Sequence, residues 1–537
     1  MTMVLDPTSI AGKRFVTRPH TQLVVVGAGP AGMAAALEAA RLGLKTMLVD
    51  ENPISAALMG MDVPFHFGGR MDASVQNSAR AVELLLEARP ALAEAFEAGI
   101  DVQLGVSAWG AFGNGPTSSF AAQAILGLAN DESSWLQTFD HLIVAAGARD
   151  LPIACAGWDK PGVMGARGFH ALLCDYRAFN GRRLVILGTG LVGLQTALAA
   201  REAGLEVAAM VEIDDSPRGA VSPSARLKRE GVAIHSGHCV RAIRGNNEVN
   251  GISLAPVTAA PDAAATIELT CDTVVLAIDV VPNIELLDVL GCVSSYRGEL
   301  GGYVPTLDRD GRTSQRHVFA VGDCAGITDA RLADATQVAA QGRRAARAVA
   351  AEHGVATADE PPPATAAPGD RDGSRQRWLA AQVAFAGDDL VICQCEEVRL
   401  RDLIGVRPPR YLGHAEAAFA HLNLHALAVD GPVNQDQIKR LTRAGMGACQ
   451  GRRCRDQVHL LLAARSNVSP GDIPLASYRA PLRPIPLGVL ADQDETQEMQ
   501  ENWTTWFGID AQWQPHWEKP VAGQTMPTGL ARRRGEK

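Results

Sequence analysis

The sequence predicts an α/β fold of two doubly wound, Rossmann-like domains followed by a small helical domain. Three observations predict it. The segment VVVGAGPAG, Val24 to Gly32, runs from an apolar strand through a glycine turn into an alanine-rich helix. The same design returns at Arg183 to Ala203, around GTGLVG. Late in the chain stand two close pairs of cysteines, Cys393 and Cys395 in CQC, then Cys449 and Cys454 in CQGRRC.

At 537 residues the chain is too long for one core, and its length suggests roughly three or four domains. Its 47% apolar and 20% charged residues describe a globular protein rather than a disordered one. A net charge of −9, with no long basic stripe, argues against nucleic acid as a partner. Apolar runs break well before the ~18 residues that span a bilayer, so no transmembrane segment is expected. The start, MTMVLDPTSIAGKRF, has no apolar core of a signal peptide. The expected location is the cytoplasm, with peripheral membrane association left open. In a reducing compartment ten cysteines read as core residues or metal ligands, not disulfides.

Leu23 to Val26 is a β-branched run that reads as the first strand. Pro30 and Ala31 open the helix, where the missing proline N–H costs nothing. The helix runs to about Arg41, and Thr46 to Val49 forms the next strand, ending at Asp50 and Glu51. Asp140 to Gly147 (DHLIVAAG) reads as another strand ending in glycine. Arg183 to Leu187, GTGLVG, a helix from Leu194 to Ala203 and a strand from Leu205 to Glu212 make the second unit, inserted between halves of the first. The first domain resumes near Val318 with VFAVGDCAG. The resulting boundaries are 20–150 with 300–350 for the first domain and 151–299 for the second. A Pro-, Ala- and charge-rich linker, 351–380, is expected to be flexible or extended. The cysteine domain spans 383–467, and an extension, 468–537, carries Trp503, Trp506, Trp513 and Trp517.

Gly27, Gly29 and Gly32 form GxGxxG between strand and helix. Gly27 permits the turn, Gly29 lets a pyrophosphate approach the backbone, and Gly32 lets helix pack on strand. The helix N-terminus offers free N–H groups and partial positive charge to phosphate. Asp50, with Glu51 as the alternative, is placed to accept ribose hydroxyls. Gly147 ends a strand on the same side. VGDCAG supplies Gly322 and Asp323, the second being suited to hydrogen-bond the ribityl chain or phosphate of an extended FAD. Arg70, in FHFGGRM, is a candidate for phosphate or the flavin ring, and His66 reads as structural rather than as a base. Gly188, Gly190 and Gly193 repeat the fingerprint, with Glu212 as the acid. An acid there favours an unphosphorylated ribose, hence NAD or ATP, or else a turn kept only for packing.

Disulfide reductases carry a redox cysteine pair beside the flavin. Here Cys155, Cys174, Cys239, Cys271, Cys292 and Cys324 are isolated and read as small buried hydrophobes. Cys393, Cys395, Cys449 and Cys454 differ. Two thiolate pairs suit the two irons of a [2Fe–2S] cluster, with zinc as the alternative. Gly445 and Gly447 let backbone amides approach cluster sulfides, and Lys439, Arg440 and Arg443 offset its charge. No side chain is singled out as catalytic.

The motifs GAGPAG, FHFGGRM, GARDLPIACAGWDKPGVM, VGDCAG and CQCEEV…TRAGMGACQGRRC together resemble the large FAD subunit of heteromeric amine dehydrogenases. That group includes the A subunits of opine oxidases, the α subunits of proline and hydroxyproline dehydrogenases and the FAD subunit of hydrogen cyanide synthase, with sarcosine oxidase α more distant. The resemblance covers about 20–350 and 385–470. It implies the two-domain FAD/NAD flavoprotein fold and a bacterioferritin-associated-ferredoxin-like [2Fe–2S] domain. It further implies a flavoprotein β subunit, of sarcosine-oxidase-β or D-amino-acid-oxidase type, that oxidises a secondary amine, opine or amino acid. An FMN between the subunits is implied as well, with a small third subunit. This chain is then the electron-handling subunit. The 53 residues between Cys395 and Cys449 exceed the family pattern by about twenty, around 407–434. The alternative function is an NAD(P)H-dependent reductase feeding the cluster through the second glycine turn. A cysteine domain that only binds a partner is the non-enzymatic alternative.

Overall fold

The computed structural model describes residues 18–54, 68–113, 124–260, 267–358, 369–413 and 416–491. Along the chain, β1 (Thr21–Val26), α1 (Pro30–Arg41), β2 (Thr46–Asp50), β3 (Asp101–Leu104), β4 (Ser107–Phe112), β5 (Ile125–Ala129) and β6 (Ser134–Val144) build the first domain. The second contains β7 (Val163–Gly165), β8 (Arg183–Leu187), α2 (Leu191–Glu202), β9 (Glu206–Val211), β10 (Ala233–His235) and β11 (Thr273–Leu276). After these come β12 (Val318–Ala320), α3 (Ala335–Glu352), α4 (Arg371–Ala386), β13 (Val391–Cys393), α5 (Gln435–Thr442) and α6 (Arg455–Ser466).

The first sheet is ordered β3-β2-β1-β6-β5-β4. Strand β6 is long enough to serve two partners. Its first half pairs antiparallel with β5, and its second half pairs parallel with β1 and with β12. Pairing of β12 with β6 returns the chain to the first domain after the second is complete. The central strands are apolar on both faces, as a sheet covered on both sides requires. Helices α1 and α3 cover one face, and their close packing depends on Gly342, where a Cβ would lie 1.9 Å from the Ala31 carbonyl oxygen.

The second sheet, β10-β9-β8-β11-β7, is wholly parallel. In each sheet the strand order reverses beside the strand that feeds the glycine turn, between β1 and β6 and between β8 and β11. Those switch points open crevices at the carboxyl ends of the strands, where α/β sheets take ligands.

One continuous apolar core runs from the second domain into the cysteine domain. It joins Leu151, Trp158 and Val185 to Trp378, Ile392, Leu403 and Leu461. Polar groups pin the junction. The Trp158 indole donates to Val391 O at 2.7 Å. Gln457 accepts from Ala154 N and donates to Ile392 O.

The expected flexible linker is corrected in part. Residues 371–386 form α4, with Arg371, Arg375, Trp378, Leu379, Gln382 and Phe385 turned inward. An apolar period begins only at Trp378. The preceding inward positions are Ser374 and two arginines, polar residues that pattern reading assigns to solvent, and the arginines' partner Asp279 lies on another domain. The extra stretch around 407–434 holds short helical pieces, Arg410–Leu412, Glu416–Phe419 and Leu424–Asp430. Of the extension, residues 468–491 pack back on the molecule. Leu482 joins the first-domain core, and its N–H donates to Trp109 O at 2.6 Å. The tryptophans from Trp503 to Trp517, and Phe65 and His66, lie outside the described residues.

Candidate functional site

The turn after β1 is built for close backbone approach. Gly27 has φ +108°, and a Cβ there would sit 2.2 Å from the Ala145 carbonyl oxygen. A Cβ on Gly32 would overlap Gly27 O at 1.9 Å, so the helix is drawn onto the strand. Space over Gly29 is open, and Gly29 caps α1 with Pro30 and Ala31 following. That combination leaves a cradle at a helix N-terminus. Asp50 ends β2, buried, and accepts from Ala28 N at 2.6 Å and from Asn52 N at 2.8 Å. These bonds fix the carboxylate at the crevice, with lone pairs left for a ribose.

The crevice is a cavity of about 580 Å³. Gly27, Gly29, Asp50, Glu51, Gly147 and Arg149 line it, joined by Arg167 and Cys174 from the second domain. Gly147 adopts φ +68° with nothing near its Cβ position. Gly322 and Asp323 stand nearby. The Asp323 carboxylate accepts from Arg167 at 2.7 Å, and Gly322 N donates to Gln341. Glu51 pairs with Arg483 from the C-terminal extension. Arg70 is placed elsewhere: its guanidinium donates to Asp272 O and Glu248, tying the glycine-rich segment to the second domain. It does not line the cavity.

The second glycine turn has the same backbone. Gly188 has φ +104°, a Cβ on Gly193 would meet Gly188 O at 2.1 Å, and the space over Gly190 is open. Glu212 is buried and accepts from Thr189 Oγ1 at 2.6 Å, Thr189 N and Ile213 N.

The four late cysteines come together. Cys395 Sγ lies 3.2 Å from Cys449 Sγ, and Cys393 touches both Cys395 and Cys454. Contact with Cys395, then burial, pushes the Cys449 thiol up, and contact with Cys393 does the same for Cys395. Gly447 packs on Cys395, where any Cβ would come within 2.5 Å. Arg443, at φ +63°, donates to Glu396, which Tyr411 also contacts. Among the described residues no three His, Cys, Asp or Glu side chains form a site for one ion. The thiols run instead as a chain, 454–393–395–449.

Two arginines join the cavity to this quartet, and sequence reasoning singled out neither. Arg149 is buried in the cavity wall and pairs with Glu285 at 2.9 Å and with Asp456 at 2.7 Å. Asp456 stands two residues beyond Cys454, in the first turn of α6. Arg452, inside the CQGRRC loop, lines the same cavity. The motif GARD marked the segment, but its partners lie hundreds of residues away.

The remaining cysteines are single. Cys155, Cys239, Cys271, Cys292 and Cys324 are buried, and burial pushes Cys155 and Cys324 up to about 12. Cys174 departs from the expected buried role and stands exposed at the cavity wall.

A family model described as pyridine nucleotide-disulphide oxidoreductase matches residues 21–354. The chain belongs to this oxidoreductase family. A second model, the sarcosine oxidase A3 domain, matches residues 423–493, which include Cys449 and Cys454. The A subunit of opine oxidase from Agrobacterium tumefaciens is 26% identical over 506 residues, spanning 88% of this chain and 92% of that one. Hydrogen cyanide synthase subunit HcnB of Pseudomonas protegens is 26% identical over 510 residues, 88% of this chain and 98% of that one. The fold is shared with L-proline dehydrogenase from P. horikoshii, at TM-score 0.57 and 19% identity over 89% of this chain and 81% of that one. The resemblance to the A or α subunits of heteromeric oxidases thus holds over most of this pyridine nucleotide-disulphide oxidoreductase. Among the described residues no helix is long and apolar enough to cross a membrane.

Proposed function

We propose that this oxidoreductase is the FAD- and [2Fe–2S]-carrying electron-transfer subunit of a complex that oxidises a secondary amine, opine or amino acid. The amine is oxidised on a partner flavoprotein β subunit, with an FMN at the interface as a further carrier. FAD, when bound, accepts electrons as a pair and returns them singly, and the cluster takes one at a time.

The observation that carries this reading is that the CQGRRC loop lines the dinucleotide cavity through Arg452 while Arg149 ties that cavity to Asp456. Gly29 and the first turn of α1 receive the pyrophosphate, Asp50 holds the ribose, and Gly147 leaves room against the backbone. Arg167 and Asp323 hold each other at the second-domain side of the cavity. Cys393 with Cys454, and Cys395 with Cys449, supply two ligand pairs. That donor set suits two irons better than one zinc, which wants four ligands around a single point. The absence of a second cysteine beside Cys174 among the described residues favours onward transfer through the quartet over dithiol chemistry.

An anaerobic visible spectrum with quantified iron and extracted flavin tests the reading. Flavin bands, a broad shoulder above them and about two irons per chain are expected. Flavin without iron removes the cluster. Rapid oxidation of proline, octopine or sarcosine by the isolated chain removes the division of labour.

A further inference from the structure

The second crevice carries a complete glycine turn and an acid, and the question is what fills it. In a doubly wound sheet a dinucleotide lies outside the strand ends at the switch point. Its pyrophosphate sits over the glycine turn and its adenosine ribose beside the acid ending the second strand. Here those marks are Gly190 and Glu212. The adenosine half must therefore lie between two walls. One is the segment after β9, Asp214 to Arg218. The other is the segment after β11, Ala277 to Asp279.

Helix α4 stands against both walls. On the first, Arg377 clasps Asp214 with two N–H groups, at 2.7 and 3.0 Å. Arg218, whose own N–H is held by Thr189 Oγ1, donates to the Asp370 carbonyl at the helix N-cap at 2.9 Å. On the second, Arg371 and Arg375 both converge on Asp279, with Arg375 Nε at 2.7 Å and its Nη2 on Val280 O at 2.9 Å. Arg371 also reaches Asp329, in the short helix Asp329–Ala333 beside α2.

These contacts are not surface decoration. Arg375 is 2% exposed, Arg371 8% and Asp279 6%. Buried guanidinium groups persist only when paired and hydrogen-bonded. The fork of each arginine is matched to acceptors on the crevice walls. Glu212 is equally committed, since Thr189 N, Thr189 Oγ1, Ile213 N and Asp214 N already take its lone-pair positions and a ribose hydroxyl would have to displace one of them.

We propose that α4 is an intramolecular strap that occupies the adenosine half of the second crevice and closes it to nicotinamide and adenine nucleotides. The crevice then serves as the dock on which the cysteine domain is mounted, and electrons do not enter this chain from NADH. The strap stands independently of any amine substrate and of the cluster.

The test titrates the purified full chain with NAD+, NADH and ATP by calorimetry, and follows flavin bleaching by NADH without oxygen. Wild-type protein should show no binding at about 1 mM. Arg377→Ala combined with Arg218→Ala loosens the rim of the strap and should raise affinity for NAD+ at least tenfold. Arg371→Ala opens the buried side and is run beside it, with circular dichroism reporting whether each variant is folded. The rim residues are partly exposed, so the first variant keeps the test alive should the second unfold. Binding to wild type well below 1 mM overturns the proposal. So does a folded rim variant that gains no affinity. Loss of iron or of amine-linked activity in the complex bears on the function proposed above and not on the strap.

Discussion

Replacing Arg149 with methionine removes a cation shared by the cavity wall and the cysteine helix. Glu285 and Asp456 are then left as neighbouring carboxylates, 14% and 19% exposed, with their common partner gone. Removing one member of a buried pair costs about 3–5 kcal/mol, and the partial exposure of both acids brings this toward the lower end, about 3 kcal/mol. That is roughly a hundredfold in the equilibrium that opens α6 from the first domain. Amide hydrogen exchange along Arg455–Ser466 should quicken by about that factor, and bound flavin should dissociate more readily. The effect should depend on pH. In wild type, burial works to raise the Asp456 carboxyl and Arg149 outweighs it, holding the group below its ordinary value. Its contribution is complete above the unfolded carboxylate pKa and fades as pH falls through the folded one. Arg149→Met should lose that dependence, and Asp456→Asn in the same chain should recover part of the loss by removing a stranded charge. An exchange rate changed less than threefold, with no recovery in the double variant, would refute the reasoning.

Gly32→Ala puts a methyl against Gly27 O and should abolish flavin retention, read as the flavin-to-protein ratio after gel filtration. A Cβ at Gly29 meets no protein atom, so Gly29→Ala should fold normally and lose flavin only, which separates binding from packing. Cys395→Ser should drop iron from about two per chain to near zero while leaving the flavin bands in place. Glu38 is held down to about 2, first by its hydrogen bond from Arg41 and then by Arg347, against burial. Its contribution should be intact at neutral pH and lost between about pH 4.3 and 2. Glu38→Gln should flatten that acid limb in a melting-temperature series.

Features that depend on short sequence intervals were legible. Gly27 and Gly188 show their roles through the φ each turn demands, and the strands around them are plain apolar runs. The pairing of CQC with CQGRRC was legible because two pairs of closely spaced thiols stand apart from the six single cysteines. Features that depend on long-range charge were not. Arg371 and Arg375 look like solvated residues in a linker until Asp279 is brought to them by the second domain. Arg70 looked available for a ligand because its acceptors, a backbone oxygen at Asp272 and the Glu248 carboxylate, are brought to it by the second domain. Arg149 sat within a recognised motif, yet its importance lies in Asp456, which follows it by more than three hundred residues.

Leu482 and Arg483 close one rim of the first cavity, beside Glu51. The strand and turn that begin that cavity are made more than four hundred residues earlier. The first domain is complete only when α3 ends at Glu352, so at about 5–20 residues per second the rim stays unfinished for about 6 to 26 seconds more. The cofactor has an open door for that interval, and the chain shuts it only once the cysteine domain has been translated. Loading first and latching last is thus written into the order of the elements, and a chain ended between residues 353 and 481 should admit its cofactor but keep it poorly.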